Sequence, residues 1–338
     1  MNSHQDLYIL AIESSCDDTC AAIMNRGKVL SNITNTQKVH QRYGGVVPEL
    51  ASRDHLRAIV PVVHEAFRRA QIDKSQIHAI ACTQGPGLIG SLMVGTSFAK
   101  GMAQGLSIPL IAVHHMHAHI MAHFIEHPDI QLPFLCLTVS GGHTQLIKVN
   151  APKQFELLGQ TIDDAAGEAF DKGAKLLQLP YPGGPIIDKY AKKGDPHRYT
   201  FANTIQPNYN FSYSGLKTSL LYFIQKMTKQ FGSNFIQENI HDLCASYQKT
   251  ILDQLETKLL QAAITLDIKT IAIAGGVSAN SALRERMIAL RQRGYETYIP
   301  AYSYCTDNAA MIGITAYYHF LAGDFVDIRM SAKARLSF

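Results

Sequence analysis

The sequence predicts an α/β protein of two hairpin-led lobes around a cleft, and three observations carry that reading. Short apolar runs alternate with segments of helical spacing along most of the chain. A strand-turn-strand unit opens each half, at residues 7–24 and again at 134–149, each with small polar residues in its turn. The chain has 338 residues, 46% hydrophobic and 17% charged, which suits two packed domains and leaves little scope for disorder.

Taken in order, residues 7–12 read as an apolar strand, 13–18 as a polar turn and 20–24 as the returning strand. Residues 55–70 place Leu56, Ile59, Val60, Val63, Ala66 and Phe67 at helical spacing. A buried strand at 77–82 ends in Gly85-Pro86-Gly87, a small-residue helix covers 90–106, and another strand covers 108–113. The second hairpin is strand 134–139, turn 140–142 and strand 143–149. A long amphipathic helix spans 243–263, and strand 271–274 runs into Gly275-Gly276-Val277-Ser278-Ala279-Asn280. Asp307-Asn308 opens an alanine-rich helix through Phe320, expected to pack back on the first lobe. The lobes therefore divide as 1–132 plus roughly 309–338, and 133–308.

A formal charge of +4 permits a nucleic-acid partner without arguing for one. None of the six cysteines forms a CxxC pair, and most lie in apolar runs, as reduced buried thiols of a cytoplasmic protein would. The apolar run at 7–12 is too short for a signal peptide or a membrane span.

Several clusters can carry chemistry. His115 and His119 lie at i and i+4, so on a helix both imidazoles leave one face and can share a divalent metal. His123 and His127 continue that face and leave the register open. Met116 stands where a zinc protease of the His-Glu-x-x-His type carries its general base, which argues against that route. Ser140-Gly141-Gly142 can form an anion-binding nest, and the Gly275-Gly276 turn leads into a helix N-terminus. The acidic turn of Glu13, Asp17 and Asp18 can hold hydrated Mg²⁺ or orient a nucleophile. Carboxylates recur along a helical segment at 163–172, followed by the glycine-rich stretch 181–185. Each cluster alone also fits a bland alternative: an exposed histidine helix, a plain hairpin turn or a solvated face.

Together and in this order, the segments resemble the tRNA N6-adenosine threonylcarbamoyltransferase family. The resemblance rests on Ile12-Glu13-Ser14-Ser15-Cys16-Asp17, residues 44–55, Gly85-Pro86-Gly87-Leu88, and His114-His115-Met116 with His119. It continues through Val139-Ser140-Gly141-Gly142-His143-Thr144-Gln145, residues 163–172 and 181–185, Phe211-Ser212-Tyr213-Ser214-Gly215, residues 275–280, and Cys305-Thr306-Asp307-Asn308. The matching segments span nearly the whole chain.

The resemblance implies duplicated RNase H-like lobes of the actin, Hsp70 and sugar-kinase (ASKHA) type, with a nucleotide cleft. It implies a metal held by His115, His119 and Asp307, with Fe²⁺ first and Zn²⁺ as the alternative. It assigns substrate and nucleotide contacts to Thr138, Val139, Ser140, Gly141, Gly142, Asp171, Gly184, Asp188 and Asn280, and a catalytic role to Asp17. The implied reaction moves threonylcarbamoyl from threonylcarbamoyl-adenylate to N6 of the adenosine 3′ of the anticodon (position 37). The acceptor tRNAs read codons beginning with A; the product is t6A, and AMP leaves. The implied partners are tRNA, an inactive-site paralogue of the same fold (TsaB-like) and a small P-loop ATPase (TsaE-like), with no membrane. Two departures stand out: His117-Ala118 replaces the frequent Glu-Gly, and residues 333–338 form a shorter, less aromatic tail. Rival readings are a small-molecule kinase or ATPase, a metallopeptidase and a non-enzymatic partner.

Overall fold

The computed structural model describes residues 6–203 and 206–338, and among them ten strands form two five-stranded sheets. The chain begins with β1 (Tyr8–Glu13), β2 (Asp18–Asn25) and β3 (Lys28–Thr36), then α1 (Pro48–Ala70), β4 (Ile77–Gly85) and α2 (Ile89–Leu106). β5 (Leu110–His114) leads directly into α3 (His115–Met121) and the single turn α4 (His123–Glu126). The sheet order is β3-β2-β1-β4-β5. The three hairpin strands run antiparallel, and β1, β4 and β5 run parallel.

The central strands are apolar on both faces because both faces are covered. Leu10, Ile12 and Ile23 pack with Ile59, Val62 and Val63 of α1 and with Ala99 and Ala103 of α2. α1 starts at Pro48, seven residues before the apolar spacing begins. Proline suits the first helical position, and the Glu49–Arg53 pair at i,i+4 supports a polar first turn that periodicity does not register.

The second unit repeats this plan. β6 (Phe134–Val139), β7 (Thr144–Ala151) and β8 (Gln154–Gln160) are followed by α5 (Ala166–Leu176), α6 (Gly183–Ala191), α7 (Ser214–Phe231), α8 (Phe235–Glu238) and α9 (Ile240–Thr265). β9 (Thr270–Ala274), α10 (Ser281–Leu290) and β10 (Glu296–Tyr298) complete it. Its order, β10-β9-β6-β7-β8, has the same antiparallel and parallel pairings, strand for strand, as the first sheet. Both hairpins thus extend to a third strand.

After β10 come α11 (Tyr302–Cys305) and α12 (Ala309–Ala322). One compact unit runs to Ile130 and resumes at Pro300; the other covers Gln131–Ile299. With the first unit resuming at Pro300, Asp307 lies in the same unit as the histidine helix. α12 covers the opposite face of the first sheet from α1, and Gly313 lies so close to Met24 that a Cβ there would overlap it. The free cysteines are buried except for half-buried Cys16. Among the described residues no helix is long and apolar enough to cross a membrane.

The acidic segment at 163–172 is only partly helical. Asp163 and Asp164 precede α5, and Asp163 accepts hydrogen bonds from Ser212 Oγ and from the backbone N–H groups of Tyr213 and Ser214 at the start of α7. Within α5, Gly173 is pressed against Tyr247, whose hydroxyl donates to the Ala169 carbonyl at 2.8 Å and so cannot withdraw. Gly173→Ala is therefore expected to destabilise the protein by about 1–3 kcal/mol through overpacking, measured by urea unfolding.

Candidate functional site

Each unit contributes its own cluster. In the first, β5 delivers the chain into α3, and His114 caps the helix by accepting from Met116 N–H through Nδ1. One turn of helix then separates His115 from His119, both buried. Asp307 arrives between α11 and α12, fixed by Asn308, whose side chain accepts from Met311 N–H and caps α12. The ligand atoms of His115, His119 and Asp307 lie within 4.8 Å of one another. His115 Nε2 is 3.4 Å and His119 Nε2 3.2 Å from the same Asp307 oxygen, Oδ1.

The surroundings suit a divalent ion. His115 turns its other nitrogen, Nδ1, to Glu13 Oε2 at 3.0 Å, so its N–H donates there and a bound ion would take the place of the proton on Nε2. Ser15 Oγ lies 3.2 Å from the same nitrogen. Glu13 is fully buried at the end of β1; it also accepts from Thr83 Oγ1 at 2.6 Å and from Ser15 N–H. Burial works against charge on His115, but the carboxylates of Asp307 and Glu13 raise its pKa well above the usual imidazole range. Burial would likewise raise Asp307, yet the charge of His115 and hydrogen bonds from both histidines hold it far below the usual carboxylate range. Two imidazoles and one carboxylate leave positions open for a ligand oxygen, and such a donor set accepts Fe²⁺ or Zn²⁺.

The open register of the histidine stretch is resolved by a break in the helix. α3 ends at Met121, and His123 begins a separate turn outside the cluster. His117 points away from the ligands and stacks on His114, ring centroids 4.2 Å apart. Burial, with His114 and His319 nearby, pushes its pKa down to about 3, so it is neutral. Asp17 sits half-buried in the β1–β2 turn. Its neighbour Asp18 has a buried Oδ1 without a hydrogen-bond partner among the described residues. Burial, then Asp307 and Asp17, push its pKa up to about 7, although a bond from Thr36 opposes the rise.

In the second unit, the substrate residues expected from the sequence form one connected structure. Thr138 and Val139 end β6, and the turn closes with Ser140 N–H donating to the His143 carbonyl at 2.8 Å. The N-terminus of α5 abuts that turn, with Gly167 N–H on the Ser140 carbonyl at 3.2 Å. Only glycine fits at 167, because a Cβ would overlap that carbonyl. Gly275, at φ +82°, comes equally close to Val139. Gly141 and Gly142 are exposed, with open space where a side chain would project, which leaves this side of the turn free for a ligand.

Asp171 of α5 accepts from Gly183 N–H at 2.7 Å, so it caps α6 beside Gly184. Burial raises its pKa, and the N–H groups of Gly183 and Gly184 oppose that. Asp188 of α6 accepts from Ser281 N–H and Oγ, while Asn280 caps α10 through Leu283 N–H and donates to Gln248 Oε1 at 2.7 Å. These polar groups thus already hold helix ends. A cavity of about 280 Å³ beside Ser281 is lined by Lys192, His197, Gln248, Lys249 and Glu285 over an apolar floor. The arginines after Asn280 do not form a free row: Arg286 pairs with Asp253 and Glu256 of α9, and Arg291 donates to Thr297 of β10. Sequence reasoning missed Gln248 and Ser281 and saw Glu13 only as part of an acidic turn.

Comparison with known proteins agrees with this architecture. Residues 28–314 match the model of the TsaD family, tRNA N6-adenosine threonylcarbamoyltransferase. A relative of that description from Christiangramia forsetii is 55% identical over 99% of this chain and 100% of its own. One from Thermotoga neapolitana is 46% identical over 98% of this chain and 100% of its own. Among solved structures, component A of the Acidaminococcus fermentans (R)-2-hydroxyglutaryl-CoA dehydratase is similar at TM-score 0.56 and 15% identity, covering 92% of this chain and 98% of that one. Full-length HypF is similar at TM-score 0.62 and 13% identity, covering 95% of this chain and 56% of that one. These last two likenesses concern the fold, which is of the duplicated ASKHA type. With two repeated sheets, a converging histidine–aspartate set and near full-length relatives, the chain belongs to the tRNA N6-adenosine threonylcarbamoyltransferase family, transferases that modify N6 of adenosine in tRNA.

Proposed function

We propose that the chain transfers threonylcarbamoyl from threonylcarbamoyl-adenylate to N6 of adenosine 37 in tRNAs reading ANN codons, yielding t6A and AMP. The convergence of His115, His119 and Asp307 within 4.8 Å is the observation that carries the reading as a metal-dependent acyltransferase. When bound, Fe²⁺ or Zn²⁺ supplies positive charge against oxygens that gain negative charge during transfer. The rest of the work is positioning. An exocyclic adenine amine is a weak nucleophile, so the donor must be an activated mixed anhydride. The N6–carbon bond forms, the carbon–oxygen bond to phosphate breaks, and AMP leaves with the electron pair. Asp17, half-buried in its turn, takes the N6 proton.

Within the Thr138–Gly142 turn, the exposed Gly141 and Gly142 offer N–H groups to phosphate or to the threonyl carboxylate, beside the positive end of the α5 dipole. Gly184, Asp188 and Asn280 hold the adenosine half. The target base is reached by splaying it from the single-stranded anticodon loop.

The exposed apolar residues Leu56 and Val60 of α1 and Ile89 and Met93 of α2 support a partner surface for a TsaB-like paralogue. Gly90 packs against Ser52 where these two helices meet. A TsaE-like ATPase completes the set, and a tRNA substrate sets the work in the cytoplasm.

The test supplies threonylcarbamoyl-adenylate labelled in threonine to the chain with its partners, using tRNA with adenosine or guanosine at position 37. Label is expected only in the adenosine tRNA, and Asp17→Asn is expected to lower the rate by about 100-fold, the usual range for a lost general base. Equal labelling of both tRNAs, or of neither, overturns the reading.

A further inference from the structure

The chain beyond α12 runs back across the first sheet. Val326 bridges Leu110 at the start of β5. Lys333 N–H then donates to the Gln84 carbonyl at 2.8 Å, and Gly87 N–H donates to the Ala334 carbonyl at 3.1 Å. Gly85, at φ +156°, is approached so closely by the Lys333 carbonyl that a Cβ there would overlap it. The tail thus crosses the ends of β4 and β5, where α3 begins.

It then engages the two histidines that flank His115. The Leu336 carbonyl faces His114 Nε2 at 3.4 Å. A carbonyl only accepts, so this nitrogen carries the proton and Nδ1 keeps the lone pair that caps α3 at Met116 N–H. The Phe338 ring stands edge-on to His117 at 4.6 Å and to His114 at 6.0 Å, against their stacked pair. His117 is two residues from each of His115 and His119, so Phe338 bears on the side of α3 opposite the ligands. His117, noted in the sequence as a departure, and Phe338 of the tail meet in one contact.

We propose that residues 333–338 are a positioning strap for the metal-binding helix. The Leu336 carbonyl selects the capping tautomer of His114, and Phe338 wedges the His114–His117 pair. Together they fix the pitch and rotation of α3, and with them the spacing of His115 and His119. This rests on the metal reading above; Phe338 is a positioning residue that acts through His114 and His117.

The test measures Zn²⁺ affinity of the full chain by competition with a chromophoric chelator, alongside thermal unfolding of the metal-free protein. Phe338→Ala is expected to raise the zinc dissociation constant about 10-fold, at the lower end of the effect of losing outer-shell support, with little change in metal-free melting temperature. Phe338→Tyr restores the affinity. Gly85→Ala, which lifts the strap backbone without altering its side chains, reproduces the loss should Phe338→Ala fold poorly. Unchanged zinc affinity in both Phe338→Ala and Gly85→Ala overturns the strap and leaves the metal reading intact. Failure of the unaltered chain to bind one Zn²⁺ overturns both.

Discussion

Replacement of His119 by alanine is expected to abolish stoichiometric binding of a divalent ion and, with it, formation of t6A. His119 is buried and contributes one of only two imidazoles; its Nε2 lies 3.2 Å from Asp307 Oδ1. Losing it leaves one nitrogen and one carboxylate, which no longer enclose an ion. Outer-shell losses cost roughly 10–100-fold in metal affinity, and removal of a ligand itself exceeds that range. Asp307→Asn is the matched test, because it keeps volume and removes charge. Metal content after dialysis and labelled threonine in tRNA are measured on the same preparations, with circular dichroism to confirm folding. Full metal content in both variants rules the cluster out as the centre.

Glu13→Gln is expected to have the second largest effect, on stability as well as on metal affinity. Three donors converge on this buried carboxylate: Thr83 Oγ1, His115 Nδ1 and Ser15 N–H. An amide presents one acceptor oxygen and turns an NH₂ group toward the remaining donors. Breaking a buried charge pair on one side costs on the order of 3–5 kcal/mol, and His115 loses the partner that orients it. Urea unfolding should show that loss, and chelator competition a 10–100-fold weaker site. Wild-type values for both would reduce Glu13 to a bystander.

Much of the fold was legible because it is written in local patterns. The runs that became β1, β2, β6 and β9 are short and apolar, and α9 has clear helical spacing. β3 and β8 were missed because they lie at sheet edges, where polar residues such as Asn32 and Glu156 blur any alternation. Asp163 and Asp164 were assigned to a helix because charge spacing does not distinguish a first turn from the loop before it. In the site, the i,i+4 pair of His115 and His119 is a local signal. Asp307 is 188 residues from His119, and no spacing rule reaches that far; only family resemblance suggested it. Glu13 reads as one more acid in a polar turn, since nothing in its immediate neighbours tells of Thr83 and His115 closing over it. The tail was visible as a departure, but its contact with His117 depends on how the strand ends lie in space.

The division of the first unit between the two ends of the chain has a consequence for biosynthesis. Residues up to Ile130 and from Pro300 onward fold together, with the whole second unit made between them. During translation the two histidines emerge before the second unit, and their carboxylate partner only after it. A nascent chain therefore presents His115 and His119 long before Asp307 can join them, and α12 is not yet present to cover its face of the first sheet. Such long-range closure slows folding and prolongs the exposure of unfinished surfaces. A message broken before the codon for Asp307 yields a complete second unit and leaves His115 and His119 without their carboxylate partner.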